Sequence, residues 1–269
     1  MIVWLASYPK SGNTWLRLFL DSYFSNIKNN FNLGGFLEEK DLKEHNIDYY
    51  NYLEIVKNWK VLQDKINLNG KINLLKTHNA MCTINNIKFS DKSNTAGVIY
   101  LIRDPRDVLI SYSKHLGQTH KDVLNGMLDP QNSELATDKS GKDFRRTIMG
   151  KWNDHYNSWM SYKENEILVI KYENLIKDTA NQFLKILSYL KKINNFEINQ
   201  NYLKLAIEKT SFTKLQLNER KYGFKEATKH TPFFRSGKSN QWKNELEPEI
   251  RSTIEKEFEL EMKGLGYIK

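Results

Sequence analysis

Two stretches of this chain place anion-binding residue types directly after apolar runs. In "VWLASYPKSGNTWLR" an apolar run ends at Pro9, then come Lys10, Ser11, Gly12, Asn13 and Thr14, then a helical pattern opening with Trp15. A strand, a Ser/Gly turn and a helix together make a phosphate site, because backbone N–H groups at the turn and the positive end of the helix dipole both face the anion. Gly12 lets the backbone approach closely, Ser11 and Thr14 bring hydroxyls, and Lys10 brings a full charge. The ATP-binding version needs G-x-x-x-x-G-K-[ST]. Here the lysine precedes the glycine and no second glycine stands upstream, so the loop is not a Walker motif. Its structural alternative is a tight strand–helix turn.

In "YLIRDPRDVLISYS" Arg103 closes an apolar run, Asp104 has the character of an N-cap, and Pro105 that of a first helical residue. Ser111 then lies about two turns into the helix. Arg103 with charge-assisted donors and Ser111 with a hydroxyl could converge on one anion. Two phosphate sites at strand ends point to a ligand with two separated phosphates. A third stretch, "TPFFRSGKSNQWK", puts Phe233 and Phe234 before Arg235, Ser236, Gly237 and Lys238. Alone it reads equally well as a solvated surface loop.

The elements that must position these residues follow from periodicity. "IVWLAS", "INLLKT" (ending at Lys76 and Thr77), "GVIYLIR" (Gly97 to Arg103) and "EILVIKY" (ending at Tyr172) are apolar runs almost without alternation. Parallel strands covered on both faces look like this. Helical patterns cover "GNTWLRLFLDSYF", Tyr49 to Leu68, Val108 to Leu116, Phe144 to Lys163, and Thr179 to Lys191. Three more are expected near 196–208, 210–220 and 247–262, the last with Leu246, Ile250, Ile254 and Phe258 in one stripe. The alternation predicts an α/β fold, one domain over residues 1–269, with a parallel sheet carrying helices on both faces. Residues 119–142 and 221–243 show no periodicity and are expected to be loops, functional lids of the kind long irregular segments often form in compact domains.

The chain has 269 residues and an ordinary globular composition, with 12% aromatic residues against whole-chain disorder. Its 41 basic and 32 acidic residues give a net charge of +9, which favours anionic partners or reflects a lysine-rich solvated surface. Acidic residues interleave with basic ones, so no nucleic-acid arm is expected. One cysteine, Cys82, excludes an intramolecular disulfide and a multi-cysteine metal site. No signal pattern and no apolar run of spanning length stand out, so a soluble, cytoplasmic protein is expected.

At this point the residues resemble a family, the soluble sulfotransferases, which move a sulfuryl group from 3′-phosphoadenosine 5′-phosphosulfate (PAPS) to an acceptor and release PAP. "YPKSGNTW" is similar to the family's 5′-phosphosulfate loop and "RDPRDVLISYS" to its 3′-phosphate motif. "LLKTH" resembles the strand carrying the catalytic histidine, "WNDHYNSW" the helix before the next strand, and "VIKYENL" that strand. "KTSFTKL" and "FFRSGKSNQWKN" resemble the elements closing over the nucleotide, so the likeness covers nearly the whole chain.

The resemblance implies a fold like that of the P-loop NTPases and assigns roles. Lys10, Ser11, Gly12, Asn13 and Thr14 would hold the 5′-phosphosulfate. Arg103 and Ser111 would hold the 3′-phosphate, with Phe233, Phe234, Arg235, Ser236 and Gly237 closing over the nucleotide. Trp15 and Phe212 would sandwich the adenine, and Tyr172 and Thr210 would contact the nucleotide. His78 would be the base, with Lys76 beside it and Lys10 neutralising the leaving phosphate. Asn13 and Ser236 depart from the animal enzymes, which commonly have threonine and lysine there, and the sequence opens at the first strand, so acceptor identity is not expected to carry over.

Of the six histidines, His78 stands out because it follows a strand's carboxyl end. An imidazole is suited to removing a hydroxyl proton near neutral pH. His155 is expected to pack in the core or line the pocket, and His115 to line the pocket or cap its helix. His45, His120 and His230 read as surface polarity. The expected acceptor is a small molecule, glycan or lipid, with no metal, no nucleic acid, no stable membrane insertion and room for a homodimer. Two rivals stay open. A P-loop kinase would use Asp104 and Mg²⁺, and a basic nucleotide- or RNA-binding module would bind with steep salt dependence and no transfer.

Overall fold

The computed structural model describes residues 1–27, 31–138 and 140–269. The chain opens with β1 (Ile2–Ser7), α1 (Asn13–Phe24), β2 (Phe31–Gly35), α2 (Glu39–Glu44), α3 (Tyr52–Asn67) and β3 (Ile72–Thr77). Then come β4 (Thr83–Ile84), β5 (Ile87–Lys88), β6 (Thr95–Ile102), α4 (Pro105–Leu116), α5 (His120–Leu128), β7 (Ser133–Thr137) and β8 (Asp143–Ile148). The remainder is α6 (Trp152–Met160), β9 (Ile167–Lys171), α7 (Tyr172–Lys177), α8 (Thr179–Ile193), α9 (Gln200–Lys209) and α10 (Phe212–Tyr222). It ends with α11 (Trp242–Glu245), α12 (Pro248–Glu257) and α13 (Glu259–Gly264).

Five strands form a parallel sheet in the order β2-β3-β1-β6-β9. β1 is wholly buried, as its unbroken apolar run requires. Its register with β3 sets Ala6 beside Thr77, so the two strands end together. The carboxyl ends of β1, β3, β6 and β9 lead respectively to Lys10, His78, Arg103 and Tyr172.

Two compact units interleave along the chain. The first takes Met1–Tyr8, Asn29–Tyr100 and Asp129–Val169, and the second takes Pro9–Lys28, Leu101–Leu128 and Ile170–Lys269. In the first, Trp4, Phe36, Trp59 and Phe89 form an aromatic core, with Trp4 and Phe89 centroids 5.1 Å apart. In the second, α1 buries Leu16, Phe19, Leu20 and Tyr23, and Phe19 stacks on Phe183 of α8. Each such side chain contributes about 1.5–3 kcal/mol on burial. That packing fixes the start of α1.

The structure corrects several expectations. Residues 119–142 are not a loop: α5 buries Val123, Leu124 and Met127, and β7 pairs with β8 as an antiparallel hairpin; Lys139 lies outside the described residues. The helix expected from Phe144 to Lys163 is only Trp152–Met160, because residues 143–148 form β8 and Gly150 turns the chain at φ 65°. The helix expected over 247–262 breaks at Phe258, whose φ of −115° is not helical. β2, two of whose five residues are glycine, was not foreseen; it is held by pairing with β3 from Phe31↔Ile72 to Gly35↔Lys76. The 221–243 segment starts in the last residues of α10 and is irregular from Gly223 until α11.

Candidate active site

In the second unit the Lys10–Thr14 loop is a turn made by two left-handed residues, Lys10 at φ 64° and Gly12 at φ 99°. Gly12 is the N-cap of α1 and offers no side chain to cap it, so the helix begins with its N–H groups turned into the loop. A Cβ on Gly12 would stand 2.7 Å from the Tyr172 ring, so glycine is required by both φ and space. Ser11 is 1% exposed and its hydroxyl is buried with no hydrogen-bond partner. An unmet buried hydroxyl costs free energy unless a ligand oxygen meets it.

Arg103 ties the Lys10 turn, the Lys238 segment and Tyr172 together. It donates through Nη1 to the Lys10 carbonyl (3.1 Å) and through Nη2 to the Lys238 carbonyl (3.0 Å). Its guanidinium lies 4.4 Å above the Tyr172 ring, and its Nε is buried without a partner. Lys10 Nζ stands 4.2 Å over the Phe233 ring. Trp15 donates to the Thr210 carbonyl at 2.9 Å and meets Tyr172 and Phe183 edge-on. A Cβ on Gly237 would come within 2.5 Å of the Phe212 ring, so the two are in close contact. Phe212 also meets Phe234, and Arg235 donates to Gln241 at 2.7 Å.

Carboxylates pin the irregular 221–243 segment. Asp107 of α4 accepts from the N–H groups of Asn240 (2.6 Å) and Trp242 (3.1 Å). Burial pushes the Asp107 carboxyl above its ordinary pKa. Glu219 of α10 accepts from the N–H groups of Phe233 (2.6 Å) and Phe234 (2.9 Å). Glu226 accepts from the Thr14 hydroxyl at 2.7 Å and pairs with Arg17.

In the first unit His78 follows β3 and is 8% exposed. Its Nδ1 lies 2.7 Å from the Ser7 carbonyl and 3.3 Å from the Ser7 hydroxyl. A carbonyl oxygen only accepts, so Nδ1 carries the proton and the basic lone pair is on Nε2. His155 is fully buried and its Nε2 lies 3.1 Å from the His78 carbonyl, so that nitrogen is the donor. The other nitrogen, Nδ1, accepts from the Tyr100 hydroxyl at 2.8 Å. Burial lowers the His155 pKa to about 4. Lys76, next to last in β3, is half-buried and pairs with Leu5 and Gly35 in the sheet register.

The family model described as "Sulfotransferase domain" matches residues 2–266. The chain belongs to the sulfotransferase family. Rat Sulfotransferase 2A2 is 31% identical over 198 residues, covering 71% of this chain and 64% of the relative. The chain thus spans just under two thirds of the length of that curated relative. A rabbit amine sulfotransferase is 24% identical over 272 residues, with 97% of this chain and 80% of the relative covered. Mouse sulfotransferase SULT7A1, solved with PAP, superposes with a TM-score of 0.66 at 20% identity, covering 97% of this chain and 84% of that one. That likeness shows the fold.

For a sulfotransferase, the sequence-predicted residues are placed as follows. Lys10, Ser11, Gly12, Asn13, Thr14 and Trp15 form the loop and the first turn of α1. Arg103, Tyr172, Phe233 and Lys238 meet at it. Thr210 caps the C-terminus of α9, Phe212, Phe234, Arg235 and Gly237 sit on or against α10, and Ser111 and Ser236 are half-buried positions on α4 and in the irregular segment. His115 packs edge-on to Phe233, His45 bonds the Asp41 carbonyl, His120 pairs with Glu247 and the His230 ring lies against Gly117. Sequence reasoning missed Asp107, Glu219, Glu226 and Tyr100. A buried second aspartate in "RDPRD" was a signal for Asp107; the others carry none. Among the described residues no group of three or more His, Cys, Asp or Glu could hold a metal, and no helix is long and apolar enough to cross a membrane.

Two predictions follow from this geometry. Gly12→Ala forces a β-carbon into Tyr172 at a left-handed φ, which costs about 1–3 kcal/mol. It should lower the melting temperature and weaken nucleotide affinity more than tenfold in a calorimetric titration; unchanged affinity would contradict the loop assignment. His155 has its pKa depressed in the folded state, from 6.5 to about 4. Its contribution is therefore full above pH 6.5 and lost as pH falls through the window to 4. The loss is on the order of 3 kcal/mol. Urea midpoints measured between pH 7 and 4 should fall more steeply for the natural protein than for His155→Gln; parallel curves would disprove it.

Proposed function

We propose that the protein transfers a sulfuryl group from PAPS to a hydroxyl or amine of a small-molecule, glycan or lipid acceptor, in one catalytic domain over residues 1–269. What supports the reading above all is Arg103, whose contacts join the Lys10 turn, Tyr172 and the Lys238 segment. The buried unmet Ser11 hydroxyl and Arg103 Nε fit a phosphorylated nucleotide as the missing partner. PAPS supplies the activated sulfuryl group.

Lys10, Ser11, Gly12, Asn13 and Thr14 hold the 5′-phosphosulfate end, and Lys10 neutralises charge at the bridging oxygen. Arg103, Ser111, Arg235, Ser236 and Gly237 hold the 3′-phosphate end. Trp15 and Phe212 sandwich the adenine, Phe233 and Phe234 close over the nucleotide, and Tyr172 and Thr210 contact it. His78 Nε2 takes the acceptor's proton as the acceptor oxygen bonds sulfur and the sulfur–oxygen bond to the 5′-phosphate breaks, and Lys76 stands beside the histidine. The Nδ1–H bond to Ser7 selects the tautomer this requires. The reaction needs no metal and no nucleic acid, and a cytoplasmic location and a homodimer complete the reading.

Calorimetric titration with PAP tests the nucleotide half: saturable one-to-one binding in EDTA is expected, and no binding at millimolar PAP would refute it. Glu226 also bears on this step, because it occupies the Thr14 hydroxyl that the phosphate end would use. The Glu226–Arg17 pair is partly exposed, so its release costs at most about 1 kcal/mol. Glu226→Gln should tighten PAP binding about two- to fivefold by the same titration; weaker binding would mean that Glu226 orders the loop for its ligand.

A further inference from the structure

Helix α6 presents two ring N–H donors one turn apart, and both end on the backbone just after β3. His155 Nε2 donates to the His78 carbonyl and Trp159 Nε1 to the Asn79 carbonyl, each at 3.1 Å. Ser158 on the same face accepts from the Met81 N–H at 3.0 Å. Positions 155, 158 and 159 share a helix face by their spacing. The donor state of His155 is fixed from behind by the Tyr100 hydroxyl on β6. Tyr8 meets His155 edge-on at 5.6 Å and Tyr156 meets Tyr100 at 5.8 Å. The titratable groups facing His155 are thus tyrosines and His78, and no carboxylate or lysine contacts it in these bonds.

We propose that His155 and Trp159 are positioning residues for His78, locked by Tyr100. This rests on the reading of His78 as the base. The imidazole has two tethers of different kinds. Its ring is held at Nδ1 by the Ser7 carbonyl, and its own backbone is held by His155, with the next carbonyl held by Trp159. Two tethers leave one orientation for Nε2. A single tether leaves the ring hinged about the Ser7 bond, and misplacement of a reacting group by about 1 Å costs on the order of 100-fold in rate.

The experiment compares His155→Leu, which removes the donor, with His155→Gln, whose amide can donate to the His78 carbonyl and accept from Tyr100. Turnover, acceptor KM, PAP affinity and the ¹⁵N spectrum of the His78 ring are measured for each. The expected result is a kcat lowered about 10- to 100-fold in His155→Leu, with KM and PAP affinity within about threefold, and recovery of most of the loss in His155→Gln. The Ser7 tether should keep the Nδ1–H tautomer in all three proteins, while the Nε2 signal should be sharp in the natural protein and in His155→Gln and broadened in His155→Leu. Adding His155→Leu to His78→Ala should cost nothing further. An unchanged ring spectrum in His155→Leu would overturn the proposal whatever the base is. A fully active His78→Ala would instead overturn the base reading, and the spectrum would still decide the tether. If His155→Leu does not fold, Trp159→Phe, which deletes one N–H, should lower kcat and broaden the same signal; a natural kcat and spectrum would overturn the proposal.

Discussion

His78→Ala should abolish sulfuryl transfer while leaving PAP affinity within about threefold of the natural protein. General-base removal typically costs 10²–10⁴-fold. The upper half of that range is expected, because the Ser7 tether fixes Nε2 as the ring's basic nitrogen. The other histidines are engaged elsewhere. His155 is buried and bonded at both nitrogens, His120 pairs with Glu247, and His45 bonds the Asp41 carbonyl. Nucleotide affinity should survive because the phosphate loop is shaped by Tyr172, Arg103 and Phe233. Steady-state turnover and PAP titration on one preparation check both halves. Turnover above a tenth of the natural rate would remove His78 from the base role.

Arg103→Ala should weaken PAP binding by at least 100-fold, and should do so far more for PAP than for the same nucleotide with a 3′-hydroxyl. A hydrogen bond to a charged group contributes about 1.5–3 kcal/mol. A guanidinium has five N–H donors, and two point to the Lys10 and Lys238 carbonyls. The Nε is buried without a partner, and in the proposed reading it meets the 3′-phosphate. Part of the loss will be general, because the substitution also releases the contacts holding the Lys10 turn to the Lys238 segment. Arg103→Lys separates the two effects: it keeps the charge but not the fork, so it should recover some 3′-phosphate preference without recovering the loop. Competition titrations with PAP and its 3′-hydroxyl counterpart give the ratio. Equal losses for both nucleotides would show that Arg103 holds the loops and does not read the 3′-phosphate.

The parts of the site legible in sequence were those made by local physics. β1 and β3 are unbroken apolar runs, so their ends, and with them Lys10 and His78, could be placed to the residue. Asp104 does cap α4, accepting from the Arg106 N–H, and Pro105 does open that helix. Gly12 could be singled out as a turn residue, but only the structure shows Tyr172 filling the space a side chain would need. What stayed hidden is made by distant pairings. β2 carries two glycines in five residues and exists because β3 pairs with it. α5 looked like a polar loop because only Val123, Leu124 and Met127 among its nine residues face inward. Glu219, Glu226 and Tyr100 act through partners 14 to 212 positions away, a relation no local pattern encodes. The tautomer of His78 depends on the Ser7 carbonyl, 71 positions upstream, and on the register that brings the ends of β1 and β3 together.

The most direct measurement of the central claim is transfer from PAPS carrying a ³⁵S label to a panel of phenols, alcohols, amines, sugars and lipids, run in EDTA and with His78→Ala in parallel. The account predicts acceptor-dependent labelled product with stoichiometric PAP release, unaffected by EDTA and absent with His78→Ala. Phosphoryl transfer from ATP that requires Mg²⁺, with no label leaving PAPS for any acceptor, would contradict it.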